Sequence, residues 1–159
     1  MKKLLVAVCV ALFSIAASAQ IQGDITAGGH VSYASKIKTV GIGVDIQYNL
    51  TDQIRGEASW TYYLKRHNST TNTVDANLHY LFNVGTDKLY VYPLAGLNYA
   101  ITTTDLQEGR SHSDGELGIN LGGGIQYELK DNLDLKAEVK YTVGDFNPVI
   151  IGAGVVYHF

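Results

Sequence analysis

The sequence of 159 residues holds one cysteine, Cys9. That excludes a disulfide within the chain, so the fold must be held together by other means. After residue 19 no apolar run approaches the roughly 18 residues a membrane helix needs. A basic excess is missing too: the formal net charge is −3, which argues against a nucleic-acid partner. The last absence is positional. Along almost the whole chain, one of the two alternating sets of residues carries no charge.

The N-terminal stretch MKKLLVAVCVALFSIAASAQ has two lysines, an apolar run from Leu4 to Ala17, and then Ala17-Ser18-Ala19. That order is a secretory signal peptide, with cleavage expected after Ala19. Residues 1–19 then form the signal peptide and residues 20–159 a single domain. Lys2, Lys3 and Cys9 leave with the signal, and the net charge falls to −5.

The domain alternates with period two, which predicts strands. Eight runs show it, near 24–33, 40–50, 54–65, 73–84, 89–101, 116–129, 133–143 and 149–159. The second reads Val40, Ile42, Val44, Ile46, Tyr48, Leu50 on its apolar parity; the eighth reads Val149, Ile151, Ala153, Val155, Tyr157, Phe159. The opposite parity holds glycines, histidines and charges. Short polar turns at 51–53, 85–88 and 130–132 alternate with longer connections at 34–39, 66–72, 102–115 and 144–148. The even-numbered runs end QYNL, LFNV, QYEL and VYHF, a weakly repeated hairpin. Together these predict an all-β, eight-stranded antiparallel up-and-down barrel with both termini on the short-turn side. Pro93 cannot donate a hydrogen bond, so a bulge or a missing ladder bond is expected beside it.

Alternation alone does not say which face points outward. A soluble lipocalin-like barrel would turn the apolar face in; a membrane barrel would turn it out. Aromatics on the apolar face favour the second. Tyr33, Tyr62, Tyr99 and Tyr141 lie toward the loop ends of the odd strands, and Tyr48, Phe82, Tyr127 and Tyr157 toward the turn ends of the even strands. Two rings of four match girdles at two membrane interfaces. The glycines of the polar parity suit a narrow lumen that must also fit charged side chains. The charge-free parity suits lipid, where a basic side chain costs about 2–4 kcal/mol at mid-bilayer. Arginine at Val44 or Leu121 should therefore impair insertion, with a charge at Asn120 better tolerated.

The run Val155, Tyr157, Phe159 and the stretch YPLAGLNY at 92–99 resemble the small eight-stranded outer-membrane barrels of the OmpX and OmpA-transmembrane-domain type. The resemblance spans residues 20–159 by pattern and implies a Gram-negative outer membrane with both termini periplasmic. It implies that Tyr157 and Phe159 act as an assembly signal, with the barrel-assembly machinery and periplasmic chaperones as partners in biogenesis. Membrane lipid and lipopolysaccharide would surround a monomer.

The chemistry-bearing residues of the lumen parity include Asp45, Arg55, Glu57, Asp75, Glu128, Lys136, Glu138 and Lys140. Because unpaired buried charge is expensive, they read as a paired polar plug. Arg55 and Glu57 are expected to reach Asp45 or Asp75, and Lys136, Glu138 and Lys140 to reach Glu128. No catalytic set, cofactor motif or metal-ligand spacing stands out. His30-Val31-Ser32 resembles the His-x-Ser of PagL-like lipid A deacylases, but both side chains point inward in this register and no carboxylate partner is identifiable. Ser111-His112-Ser113-Asp114 holds hydrolase residue types on one loop, without a preset triad geometry. Lys36, Lys38, Lys65, Arg66 and His67 could meet lipopolysaccharide phosphates, and loops 34–39, 66–72 and 102–115 could carry a surface partner. The expected role is non-enzymatic: envelope integrity or surface interaction. A narrow solute channel, a lipid A-modifying enzyme and a lipocalin-type binding module are the alternatives.

Overall fold

The structure, a computed structural model, describes residues 23–66, 68–84, 88–105, 111–144 and 147–159. The signal segment 1–19 expected from the sequence lies outside them. Alternating β-branched and aromatic residues drive the chain into strands. These are β1 (Ile25–Ala34), β2 (Thr39–Asn49), β3 (Ile54–Arg66), β4 (Ser69–Tyr80, resumed as Phe82–Asn83), β5 (Leu89–Asp105), β6 (Ser111–Lys130), β7 (Leu133–Gly144) and β8 (Val149–His158). Each pairs antiparallel with its neighbour in sequence, and β8 returns to pair with β1, His158 opposite Thr26 and Ile150 opposite Ala34. The sheet therefore closes into an eight-stranded barrel, which removes every edge along the shared wall.

The apolar face is outside. Val44, Leu121 and Leu117 are 58%, 50% and 65% exposed, while Asp45, Asp75 and Asn120 are at most 2% exposed. All eight ring aromatics face outward: Tyr33, Tyr62, Tyr99 and Tyr141 toward the loop-side end, and Tyr48, Phe82, Tyr127 and Tyr157 toward the terminus-side end. Phe159 packs edge-on against Tyr157, with ring centroids 5.4 Å apart. No described helix is long and apolar enough to cross a membrane.

Two details differ from the sequence reading. Within the segment 102–115, residues 102–105 and 111–115 are strand rather than loop. Thr102, Thr103, Thr104 and Asp105 pair with Asp114, Ser113, His112 and Ser111, so β5 and β6 run on as a two-stranded ribbon. Likewise 66–72 is mostly strand, with Ser69 opposite Arg66 and also opposite Thr104. Polar Thr/Ser composition read as loop because such residues also favour turns; here cross-strand hydroxyl pairs, Ser69–Thr104 at 3.0 Å and Thr71–Thr102 at 3.1 Å, hold it extended.

Pro93 leaves its mark without a bulge. Pairing of β4 with β5 lapses between His79–Leu94 and Phe82–Val91 while the register stays constant. Pro93 lies in that gap, while the amide of Leu81 keeps its place on the β3 side, donating to Gln53 O at 2.7 Å. The core is the lumen. Its loop-side end is closed by a small apolar cap of Ala34, Tyr63 and Ile150, with Ile37 packed against it.

Candidate functional site

Period-two alternation places every second residue of eight strands in one narrow lumen, and the side chains meet across it. Lys136 on β7 reaches Glu57 Oε2 on β3, the strand directly opposite, at 2.9 Å, and Asp45 Oδ2 on β2 at 2.9 Å. Gln47 and Asn77 donate to Glu57 at 3.0 and 3.2 Å. Toward the loops, Lys140 lies 3.4 Å from Asp75 Oδ1, which also accepts from Asn98 at 2.8 Å and Asn120 at 2.6 Å. Thr142 donates to Asn120 at 2.8 Å. Toward the termini, Arg55 donates to Gln126 at 2.7 Å, Gln126 to Asp134 at 2.5 Å, and His158 lies 2.8 Å from the same carboxylate oxygen.

These are not the pairings the sequence suggested. Arg55 meets His79 and Gln126 rather than a carboxylate of a neighbouring strand. Lys136 and Lys140 meet Asp45, Glu57 and Asp75 rather than Glu128. Sequence reasoning considers adjacent strands, whereas in a barrel this narrow a lysine spans the diameter. Glu128 stays out of this network; it is half-buried in a vestibule of about 260 Å3 at the terminus end with Asp24, Asp52, Asp131, Asp134 and His158. Glu138 accepts from the Tyr92 hydroxyl at 2.7 Å. Asn120 is fully buried and engaged on both amide atoms, so a charge there meets a packed, satisfied site instead of a tolerant one.

Two lumen aromatics escaped the sequence reading. Tyr92 stacks on His79 at 4.7 Å, lies 5.0 Å from the Arg55 guanidinium, and is 1% exposed. Tyr63 forms part of the cap. Their parity was the available signal: both fall on the polar set. Glycine makes room for the first, since a Cβ at Gly124 would lie 2.6 Å from the Tyr92 ring.

Chemistry-bearing groups do converge here. His30 has the carboxylate partner that was not identifiable from sequence: Asp45 Oδ1 lies 3.0 Å from Nδ1, and the Thr61 hydroxyl lies 3.0 Å from Nε2. Hydroxyl, imidazole and carboxylate stand in the order of a catalytic triad. The cavity beside them, lined by Ser32, Ser59, Lys136 and Lys140, is only about 20 Å3 in volume, room for about one water. Ser111, His112, Ser113 and Asp114 lie on the ribbon, with His112 Nε2 3.0 Å from Asp114 Oδ1, both exposed.

Glu57, His79 and Glu138, on three different strands, bring one ligand atom each within 4.8 Å of one another. The protons oppose a metal there. His79 Nδ1 accepts from Arg55 at 3.1 Å, so a neutral ring carries its proton on Nε2, the atom facing Glu57 at 3.9 Å. Glu57 Oε2 is already engaged by Lys136. A divalent ion at Nε2 would have to move the ring proton to Nδ1, break the Arg55 bond and enter a cluster that already holds two cationic side chains.

An outward apolar belt around a polar lumen is the inversion a bilayer demands. The sequence profile described as outer membrane protein beta-barrel domain matches residues 5–159. The chain belongs to this outer-membrane barrel family. Solved structures of similar fold include the N-terminal β-barrel domain of Pseudomonas aeruginosa OprF, 22% identical, with a TM-score of 0.74 over 87% of this chain and 98% of that one. Neisserial surface protein A is 19% identical, TM-score 0.67, over 86% and 95%. Ail, the attachment invasion locus protein of Yersinia pestis, solved with the heparin analogue sucrose octasulfate, is 16% identical, TM-score 0.64, over 87% and 99%. A comparison with curated proteins finds no match. Family and fold together point to the outer membrane as the location of this barrel.

Proposed function

We propose that this outer-membrane barrel is a non-enzymatic envelope protein, a membrane scaffold that presents its loop-side surface to partners. The observation that carries the reading is a lumen filled by paired side chains. Lys136 ties opposite walls together through Glu57 and Asp45, the apolar cap closes the loop end, and the space between them is about 20 Å3. In this reading Asp45, Arg55, Glu57, Asp75, Lys136, Glu138 and Lys140 form a structural plug, with Glu128 at its terminus-side edge. The two aromatic rings seat the barrel in the bilayer, with lipid and lipopolysaccharide around it. Cleavage near Ala19 releases the chain to the periplasm. Tyr157 and Phe159 then present the last strand to the assembly machinery. The loop side faces the exterior.

Conductance across planar bilayers tests this against the channel alternative. Discrete open levels from the folded wild type would refute the plug; silence in wild type and openings after Lys136→Ala would support it. Mass spectra of lipid A from cells with and without the protein test the enzymatic alternative. A changed acyl pattern that survives His30→Ala but not loss of the protein would send the search to other residues; an unchanged spectrum supports the scaffold.

A further inference from the structure

The loop-side rim is electrically divided. The first two connections carry Lys36, Lys38, Lys65 and Arg66 and no acid, whereas the β6 ribbon carries Asp114 and Glu116. On the basic side lies a cleft of about 320 Å3, with Lys36 and Arg66 at its walls and Thr39, Ser69, Thr71 and Thr102 among its lining. Its walls are fixed by bonds between elements. The Thr39 hydroxyl donates to Leu64 O at 3.1 Å, and an Arg66 N–H donates to Lys38 O. Lys38 and Asn68 hold the turns with left-handed backbones, φ 50° and 61°. Guanidinium and ammonium groups over a hydroxyl floor are complementary to an oxyanion ester. Arg66 has five N–H donors and uses one on Lys38.

The parity of the lining decides where that ester comes from. Thr39, Tyr63, Ser69, Thr71 and Thr102 belong to the lumen-facing set, Tyr63 is also part of the cap, and Ile37 and the outward-facing Leu64 complete the lining. The cleft therefore faces mainly along the barrel axis, above the Tyr63 cap, with Leu64 on the side toward lipid. We propose that it is a blind binding site for sulfate or phosphate esters of a soluble or opposing-surface glycan, rather than for the headgroups of its own membrane. This rests on the surface-interaction reading above. Conductance and lipid A spectra can refute that reading while leaving this site intact, and the titration below can refute the site alone.

The test uses the folded protein in phosphatidylcholine nanodiscs, titrated with a low-mass dextran sulfate and with unsulfated dextran. Saturable binding of the sulfated chain alone is expected, weakening with salt. Lys36→Gln and Arg66→Gln should each lower affinity about tenfold, and Asp114→Asn on the acidic side should not lower it. Lys36→Gln leaves the Arg66–Lys38 bond in place, so a shifted turn cannot account for both results; heat-dependent gel mobility confirms that each variant is folded. Repeating the titration in nanodiscs that contain lipopolysaccharide should leave the affinity unchanged. No saturable binding, equal binding of plain dextran, or unchanged affinity in both variants would overturn the proposal. So would displacement by lipopolysaccharide, which would make the membrane headgroup the ligand.

Discussion

Lys136 stands between two carboxylates, each within 2.9 Å. Removing its charge leaves Asp45 and Glu57 buried with one cation fewer, and truncating one partner of a buried pair costs about 3–5 kcal/mol. Lys136→Met should lower the unfolding free energy by that amount in urea titrations of vesicle-inserted barrel. Neutralising the partners as well, with Asp45→Asn and Glu57→Gln, should recover most of it. A second residue-scale prediction concerns space. At Gly124 a methyl group would sit 2.6 Å from the Tyr92 ring and 2.8 Å from the Ala137 carbonyl oxygen, so Gly124→Ala should cost about 1–3 kcal/mol, the part owed to Ala137 persisting whatever stands at position 92. In a Tyr92→Leu background the same substitution should cost clearly less, and additive costs would show that the ring is not the obstacle. Little of this detail was readable beforehand. Which residues face inward followed from parity, but which inward residues touch did not, because Lys136 and Glu57 are 79 positions apart and on opposite walls.

At the scale of the strand, inward and outward positions answer to different solvents. Val44, outward and 58% exposed, should tolerate arginine poorly, at about 2–4 kcal/mol, whereas arginine at Asp131, in the exposed β6–β7 turn, should insert normally. Counting inserted protein by protease protection checks both, and equal yields would reverse the assignment of faces. Pro93→Val should join the β4–β5 ladder across its lapse and raise stability by about 1 kcal/mol; an unchanged unfolding midpoint would mean that the gap has another cause. The strands themselves were plain in the alternation, since the registers keep every apolar-parity residue outside. Residues 102–105 and 111–115 were read as loop because their threonines and serines serve turns and extended ribbons alike, and nothing local distinguishes the two. The in–out choice was readable from Tyr33, Tyr48 and their counterparts, since a soluble core gives no reason to sort aromatics to strand ends.

For the whole molecule, the closing strand decides whether there is a barrel at all. β8 pairs with β7 on one side and β1 on the other, and Tyr157 and Phe159 stand at its end. Deleting Phe159 should slow the appearance of heat-resistant folded protein in cells while leaving the refolded barrel's urea midpoint nearly unchanged; unaltered kinetics would end its role as a signal. The Lys136 bridge also carries a consequence in time. It links β7, among the last strands made, to β3, among the first, and it forms only when the wall between them has curved shut. Until then both carboxylates and the lysine need water, so a half-built sheet cannot shed its hydration. Completion is thus a single event in which the last strands dock, the water leaves and the charges find each other together. A chain interrupted before β7 would carry Asp45, Glu57 and Asp75 without Lys136 or Lys140, and would be a substrate for proteases rather than a smaller barrel.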